Sequence, residues 1–255
     1  MHNMMTQSTS IVPLLDYSIH SGGLSQCVTE GKTLISTINQ YSYCIAEEDA
    51  DFKKALQQSD ILLPDGIGIV AAIKLVKNRN ITKIAGADIH CYLLNELNNK
   101  GGRCFYLGSS QNTLDKIFER LSKEFPNIVV DGFSPPYKKE FTDSDNQQMI
   151  NAINNFEPEV LFIGMTAPKQ EKWAYYHKQV LDAKVICSIG AVFDFYAGTI
   201  KRPNSFWINS GLEWFARLMK EPKRMWKRYL YYGPIFIKII IKKKIVSMFN
   251  RNTVL

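Results

Sequence analysis

Ile61-Leu-Leu-Pro-Asp-Gly-Ile-Gly-Ile-Val70 decides the fold. Ile61, Leu62 and Leu63 read as the end of a buried strand, run straight into Pro64, Asp65 and Gly66, and are followed at once by an amphipathic segment. In an open α/β sheet such strand-to-helix turns line the crevice at the carboxyl ends of the strands, where ligands bind. Asp65 stands at that turn as a candidate catalytic carboxylate. Its competing role is to cap the next helix, since Asp is among the preferred N-cap residues.

The same pattern recurs on both sides. Lys32-Thr-Leu-Ile-Ser-Thr37 reads as a strand, followed by Thr37-Ile-Asn39 and a helical stretch from Gln40 to Gln58. After Asp65 a helix runs to about Lys77, and Ile84-Ala-Gly-Ala-Asp88 opens another that stops at Gly101-Gly102, a favoured helix terminator. Strands at Arg103–Leu107, Ile128–Val130, Val160–Ile163 and Lys184–Ser188 alternate with a helix carrying apolar Leu114, Ile117, Phe118 and Leu121 and with helices at 142–156 and 169–179. The alternation predicts an α/β fold: a Rossmann-like, mostly parallel sheet with helices on both faces. The division expected is an N-terminal arm over 1–30, loosely held, an α/β catalytic domain over 31–203 and a helical appendage over 204–255, with Lys201-Arg202-Pro203 as the boundary.

Charge separates the appendage from the rest. Of a net +7, residues from Lys201 onward carry thirteen basic and two acidic side chains, a local +11 that leaves −4 for the remainder. A tail of one sign suggests an anionic partner. The cysteines at 27, 44, 91, 104 and 187 form no Cys-x-x-Cys or Cys/His cluster, which argues for a reducing compartment and against a structural zinc site. Ile11 to Leu15 is too short an apolar run for a signal peptide and contains Pro13.

Five turns after expected strands carry small or polar residues: Thr37-Ile-Asn39, Asp65-Gly66, Gly108-Ser-Ser110, Gly164-Met-Thr-Ala-Pro-Lys-Gln170 and Gly190-Ala-Val-Phe-Asp194. In a parallel sheet they share one edge, and main-chain amides at helix starts bind phosphate because donors and helix dipole point the same way. Together they indicate a phosphate-bearing ligand. Neither a Gly-x-Gly-x-x-Gly fingerprint nor a Walker A string is present, so NAD and ATP chemistry lose support. Asp49-Ala-Asp51 and Asp143-Ser-Asp145 lie in polar helical stretches rather than at strand ends, and read as solvated helix faces rather than metal ligands. His90 and His177 have no second ligand at i+3 or i+4 and read as packing or surface residues.

Six ordered strings, Pro64-Asp-Gly-Ile-Gly, Ile84-Ala-Gly-Ala-Asp88, Phe105-Tyr-Leu-Gly-Ser109, Pro168-Lys-Gln-Glu-Lys-Trp173, Gly190-Ala-Val-Phe-Asp194 and Gly211-Leu-Glu-Trp-Phe-Ala-Arg-Leu-Met-Lys-Glu-Pro-Lys-Arg224, resemble the WecG/TagA/CpsF glycosyltransferases, glycosyltransferase family 26. The resemblance covers about residues 32 to 232. It implies an inverting, metal-independent transferase with no cofactor beyond its donor substrate. Such an enzyme moves a sugar, often of the N-acetylmannosamine type, from a UDP-sugar to a polyprenyl-diphosphate-linked acceptor sugar at the cytoplasmic membrane face. On this resemblance Asp65 matches the proposed base, and Thr37, Asn39 and Gln170 match polar residues of the donor and acceptor pocket. Gly66, Asp88, Gly108, Ser109, Lys169, Gly190 and Asp194 complete the substrate-binding candidates. Two departures bear on the donor pocket: Gly164-Met-Thr-Ala-Pro168 replaces a commoner Gly-x-Pro spacing, and Ala191 stands where a second Gly is common. The competing class is a non-catalytic nucleotide-sugar or lipid-diphosphate binding module in which Asp65 is only a cap.

From Phe206 to Phe249 apolar, aromatic and basic residues alternate, ending in Ile235-Phe-Ile-Lys-Ile-Ile-Ile-Lys-Lys-Lys244. Lys238 interrupts the longest apolar run, far short of the roughly 20 residues that span a bilayer. A helix lying in the interface of an anionic membrane fits this composition. A helix pair buried against a sister subunit, making a homo-oligomer, is the second reading. Nucleic acid is disfavoured, since no RNA-binding signature accompanies so much isoleucine. Pro222 is expected to start a new helix. One or both of Arg217 and Arg224 are expected to reach over the donor diphosphate when the tail docks.

Overall fold

The alternating pattern resolves into one parallel sheet. The computed structural model describes residues 10–28, 31–201, 203–204, 206–207 and 210–252, with side chains to residue 246. A hairpin of β1 (Ile11–Leu14) and β2 (Tyr17–His20) leads into β3 (Thr33–Ile38), α1 (Gln40–Glu48), α2 (Ala50–Gln57), β4 (Ile61–Pro64) and α3 (Ile67–Lys77). Then come α4 (Gly86–Lys100), β5 (Arg103–Gly108), α5 (Gln111–Glu124), β6 (Val129–Phe133), α6 (Asp143–Phe156), β7 (Val160–Gly164), α7 (Lys169–His177), β8 (Val185–Ser188) and α8 (Val192–Tyr196). Strands β3 to β8 form a six-stranded sheet in the order β4-β3-β8-β7-β5-β6, every pairing parallel. The chain therefore has the α/β, Rossmann-like architecture that its pattern predicts.

Period-two alternation within the strands builds the layers, because successive side chains point to opposite faces. Cys104, Tyr106, Phe162 and Cys187 face α4 and α5, packing on Leu93, Leu97, Leu114 and Ile117. Their neighbours Phe105, Leu107, Leu161, Ile163 and Ile186 face α6 and α7, against Met149, Ile153 and Trp173. Each such aliphatic or aromatic side chain, taken from water, contributes about 1.5–3 kcal/mol. The strands are apolar on both faces because both faces are covered.

Three features differ from the sequence reading. The helical stretch from Gln40 to Gln58 is broken at Asp49, whose carboxylate accepts the Phe52 N–H at 3.0 Å and caps α2. The first thirty residues do not form a loose arm throughout: Val12, Leu14, Tyr17 and Ile19 of the hairpin are buried in a cluster with Ile38, Phe52, Leu62 and Ile73. Residues 1–9 and 29–30 of that expected arm, and Arg202 of the expected boundary, lie outside the described residues. The third difference is the C-terminal segment, which turns back onto the body.

That segment comprises α9 (Glu213–Lys220), α10 (Pro222–Trp226), a π-helical turn (Lys227–Tyr231) and α11 (Tyr232–Asn252). Pro222 begins α10 as expected, at a position where its missing N–H costs nothing. On α11, Tyr232, Phe236 and Ile240 recur every four residues and are buried beside Tyr43 and Cys44 of α1 and Ile69 and Ala72 of α3. Among the described residues no helix is long and apolar enough to cross a membrane.

Candidate active site

The carboxyl ends of the strands open into a cleft of about 1020 Å³. β3 leads outward to β4 on one side and β5 outward to β6 on the other, so the connections diverge above the middle of the sheet. Ten of the candidates line this cleft: Thr37, Asn39, Asp65, Ser109, Lys169, Gln170, Gly190, Asp194, Arg217 and Arg224. Gly66, Asp88 and Gly108 do not line it.

Asp65 is held by main chain. Its N–H donates to the Ile38 carbonyl at 2.9 Å, continuing the β3–β4 ladder one step past Pro64. Gly66 then takes φ +114°, a region that side chains disfavour, and turns the chain into α3. Gly66 is the residue at the N-cap of α3, and no side chain caps that helix, so Asp65 is not a cap. Burial pushes the Asp65 carboxyl up to about 6; Glu213 adds to the rise, and Arg217 and Lys83 oppose it. Lys83 and Glu213 are themselves paired at 2.9 Å, which joins the approach to α4 to the start of α9.

The glycines of the neighbouring turns allow close approach. A Cβ on Gly108, at φ +123°, would lie 2.4 Å from the Gly164 carbonyl oxygen, and one on Gly164 would strike the Phe193 ring at 2.5 Å. Ser110 caps α5, accepting the Thr113 N–H at 3.3 Å, and its neighbour Ser109 faces the cleft. Gly190 at φ +53° leaves room for the Gln170 amide, which a Cβ would meet at 3.3 Å.

Several polar candidates carry structural duties as well. Asn39 Oδ1 accepts the Tyr41 and Ser42 N–H groups, each at 3.0 Å, and caps α1. Asp88 accepts the Ala85 N–H at 2.8 Å at the start of α4 and raises the Asp65 carboxyl from a distance. Lys169 lies over the Phe141 ring at 3.5 Å and donates to the Lys138 carbonyl, so its ammonium is tied to the loop before α6. Burial raises the Asp194 carboxyl, against Arg224 and a bond from Thr199.

The tail adds three guanidinium groups to the lysines of the body. Arg217 lies 5.3 Å from the Phe195 ring centroid, and its buried Nε has no hydrogen-bond partner. Arg224 pairs with Glu221 at 3.0 Å, and Arg228 lies 4.7 Å from the Tyr41 ring centroid. Although they stand on α9, on α10 and in the π-helical turn, all three line the cleft with Asp65. Sequence reasoning missed Arg228, whose only signal was the run Lys223-Arg-Met-Trp-Lys-Arg228. It also missed Glu171, which lines the cleft and sits inside the quoted string Pro168–Trp173.

His90 and His177 stand apart from this cleft. His90 is buried against the Tyr106 hydroxyl at 2.7 Å, with its pKa lowered to about 3 by burial, and His177 binds the Trp173 carbonyl at 2.8 Å. Of the acidic strings, Asp49 caps α2, and Asp145 binds Lys138 and the Thr142 N–H at the start of α6.

The model of the glycosyl transferase WecG/TagA/CpsF family matches residues 14–249. The chain belongs to that family. As a WecG/TagA/CpsF protein it is similar to an N-acetylglucosaminyldiphosphoundecaprenol N-acetyl-beta-D-mannosaminyltransferase of Bacillus subtilis strain 168. The two are 30% identical over 243 residues, covering 95% of this chain and 91% of that one. A Bacillus spizizenii protein of the same name is also 30% identical, over 202 residues, covering 79% of this chain and 76% of its own. The WecG/TagA/CpsF match takes in most of α11, so the docked C-terminal segment belongs to the family unit and is not an addition to it.

Proposed function

We propose that this chain transfers an N-acetylmannosamine-type sugar from a UDP donor to an N-acetylglucosamine carried on a polyprenyl diphosphate, in the synthesis of a surface polysaccharide or wall polymer. One observation carries the reading: the Asp65 carboxyl, raised by burial, and three guanidinium groups share a single cleft at the carboxyl ends of a parallel sheet. The two Bacillus relatives, named as N-acetylmannosaminyltransferases acting on N-acetylglucosaminyldiphosphoundecaprenol, support the sugar moved and the acceptor.

The chemistry is a single displacement. An acceptor hydroxyl oxygen attacks the anomeric carbon while its proton passes to the Asp65 carboxylate. The bond from that carbon to the diphosphate oxygen breaks, and its electron pair leaves with UDP, inverting the configuration. A base with a pKa of about 6 is ionised at neutral pH yet close enough to it to take a proton efficiently. The charge that grows on the leaving diphosphate falls to Arg217, Arg224 and Arg228, helped by main-chain amides at helix starts, with no metal required. Thr37 and Gln170 orient the reacting groups beside Asp65.

The surface of the tail fits a lipid-linked acceptor. Trp226, Leu230, Tyr231, Ile237, Ile241 and Ile245 are exposed, with Lys238 and Lys242 exposed among them. An apolar surface studded with lysines suits the interface of an anionic membrane, here the cytoplasmic face. UDP release from UDP-N-acetylmannosamine, with a short-chain polyprenyl-diphosphate N-acetylglucosamine acceptor, tests the reading. Turnover that Asp65→Asn abolishes is expected; full activity in Asp65→Asn removes Asp65 as the base.

A further inference from the structure

Glu171 is the most thoroughly buried acid facing the cleft. Its side chain is 3% exposed on α7, and Gln170 beside it is 4% exposed. Gln170 Oε1 accepts the Met165 N–H at 3.2 Å, and its Nε2 donates to Glu171 Oε1 at 2.8 Å. The main-chain N–H of Met165 can only donate, so the orientation of the Gln170 amide is fixed. One hydrogen of Nε2 is then held by Glu171, and the other is left for the cleft. Glu171 Oε2 is buried and has no partner.

We propose that Glu171 is a positioning residue: through Oε1 it locks the Gln170 amide so that the remaining N–H of Nε2 meets the donor substrate, and it does so as the neutral acid. The inference rests on the proposed glycosyl transfer for its substrate, but the pairing stands on geometry alone. A carboxylate buried with one oxygen uncompensated is costly, whereas a neutral acid still offers its carbonyl oxygen to Gln170. Burial pushes the Glu171 carboxyl up to about 7, opposed by the Gln170 bond and by its own N–H. The charged groups around α7 have other partners or face other ways. Lys172 pairs with Asp49 and Lys178 with Asp60, each at 2.6 Å. Lys54 and Asp51 face Tyr175 and Tyr176, and Lys169 lies over Phe141 beside the Lys138–Asp145 pair. Asp65, Asp194 and the three arginines lie along the same cleft, and none of these groups contributes to the shift of Glu171. Ionisation above neutral pH then places a negative charge at the wall of a cleft that takes a diphosphate.

Two measurements on the full chain test this. In ¹⁵N-labelled protein without substrate, the Gln170 side-chain amide, assigned with Gln170→Glu, should titrate with a midpoint near pH 7, and this titration should vanish in Glu171→Gln. With UDP-N-acetylmannosamine, Glu171→Ala should raise KM about tenfold with kcat changed less than threefold. Glu171→Gln, which keeps an acceptor for Gln170, should restore KM to within about threefold and remove its rise above pH 7. A Gln170 amide that does not titrate, or that titrates equally in Glu171→Gln, overturns the proposal, as does a Glu171→Ala enzyme with the KM of the parent. If the amide titrates as expected but no UDP-sugar is turned over, the glycosyl-transfer reading fails and the pair survives.

Discussion

The α/β body and the C-terminal segment solve the burial problem in opposite ways. Among the described residues, eight large apolar side chains are exposed between 10 and 201, whereas eleven are exposed between Phe206 and Val246. In the body, strands and helices cover one another and the apolar faces disappear. The tail is divided. One side carries Tyr232, Phe236 and Ile240 into the core and Arg217, Arg224 and Arg228 into the cleft; the other presents tryptophan, leucine and isoleucine among lysines. Apolar patches of this kind mark surfaces that meet a partner. The body thus holds the carboxylate, the tail holds the guanidinium groups, and the proposed transfer draws on both.

The sharpest way to break this division of labour is at Asp65. Asp65→Asn should lower turnover by about 10²–10⁴, the usual scale for losing a general base, while UDP binding measured by calorimetry stays within a few-fold. The parent enzyme should show the same dependence through pH. Because the proposed reaction uses the Asp65 carboxylate, kcat/KM should fall about tenfold per unit below pH 6 and level off near pH 7, above which the rise in KM linked to Glu171 lowers it again. Next in size, Arg224→Ala should slow a water-soluble acceptor analogue about tenfold to a hundredfold. Unchanged turnover on that analogue, with membrane binding lost, would reduce the tail to an anchor.

A double change on the outer face, Ile237→Asp with Ile241→Asp, should weaken binding to vesicles containing anionic lipid by about tenfold or more, since each isoleucine buried in the interface contributes about 1.5–3 kcal/mol. Turnover on the soluble analogue should change far less, which sedimentation and UDP release together would show. The smallest effect expected is on stability. Glu171 keeps its proton to about pH 7 when folded, whereas the unfolded chain releases it near the ordinary Glu value. The folded state binds more protons across that window, so stability falls with rising pH by up to about 1.4 kcal/mol per unit. Glu171→Gln, which lacks this penalty, should melt a few degrees above the parent at pH 8 and at the same temperature at pH 4.5.

Much of the body was legible because strand and helix periodicities are local. The stretch Ile61–Val70 alone carries a strand end, a turn and a helix start, and all three appear where its pattern puts them. The helix end at Gly101 and the helix start at Pro222 follow from the backbone chemistry of those two residues. The hairpin was not legible: four-residue strands around Pro13 carry too little periodicity to stand out, and their partners Phe52, Leu62 and Ile73 are remote in sequence.

The candidate site divides the same way. Turn residues such as Thr37, Ser109 and Gly190 could be named from strand ends, because a parallel sheet delivers every such turn to one edge. Asp65 could be named too, but not its freedom from capping, which depends on Gly66 turning the chain in its place. What the sequence by itself determined is therefore the sheet, its edge and the polar residues along it, since each depends on contacts within one strand-helix unit. Arg217 and Arg224 could be named for the site; only the tertiary structure decided that α9, α10 and the turn after them fold back onto the body, that Arg228 joins the cleft that holds Asp65, and that Glu171 is buried against Gln170. Those arrangements depend on burial between segments as much as 188 residues apart, such as Cys44 and Tyr232, and no local pattern encodes that distance.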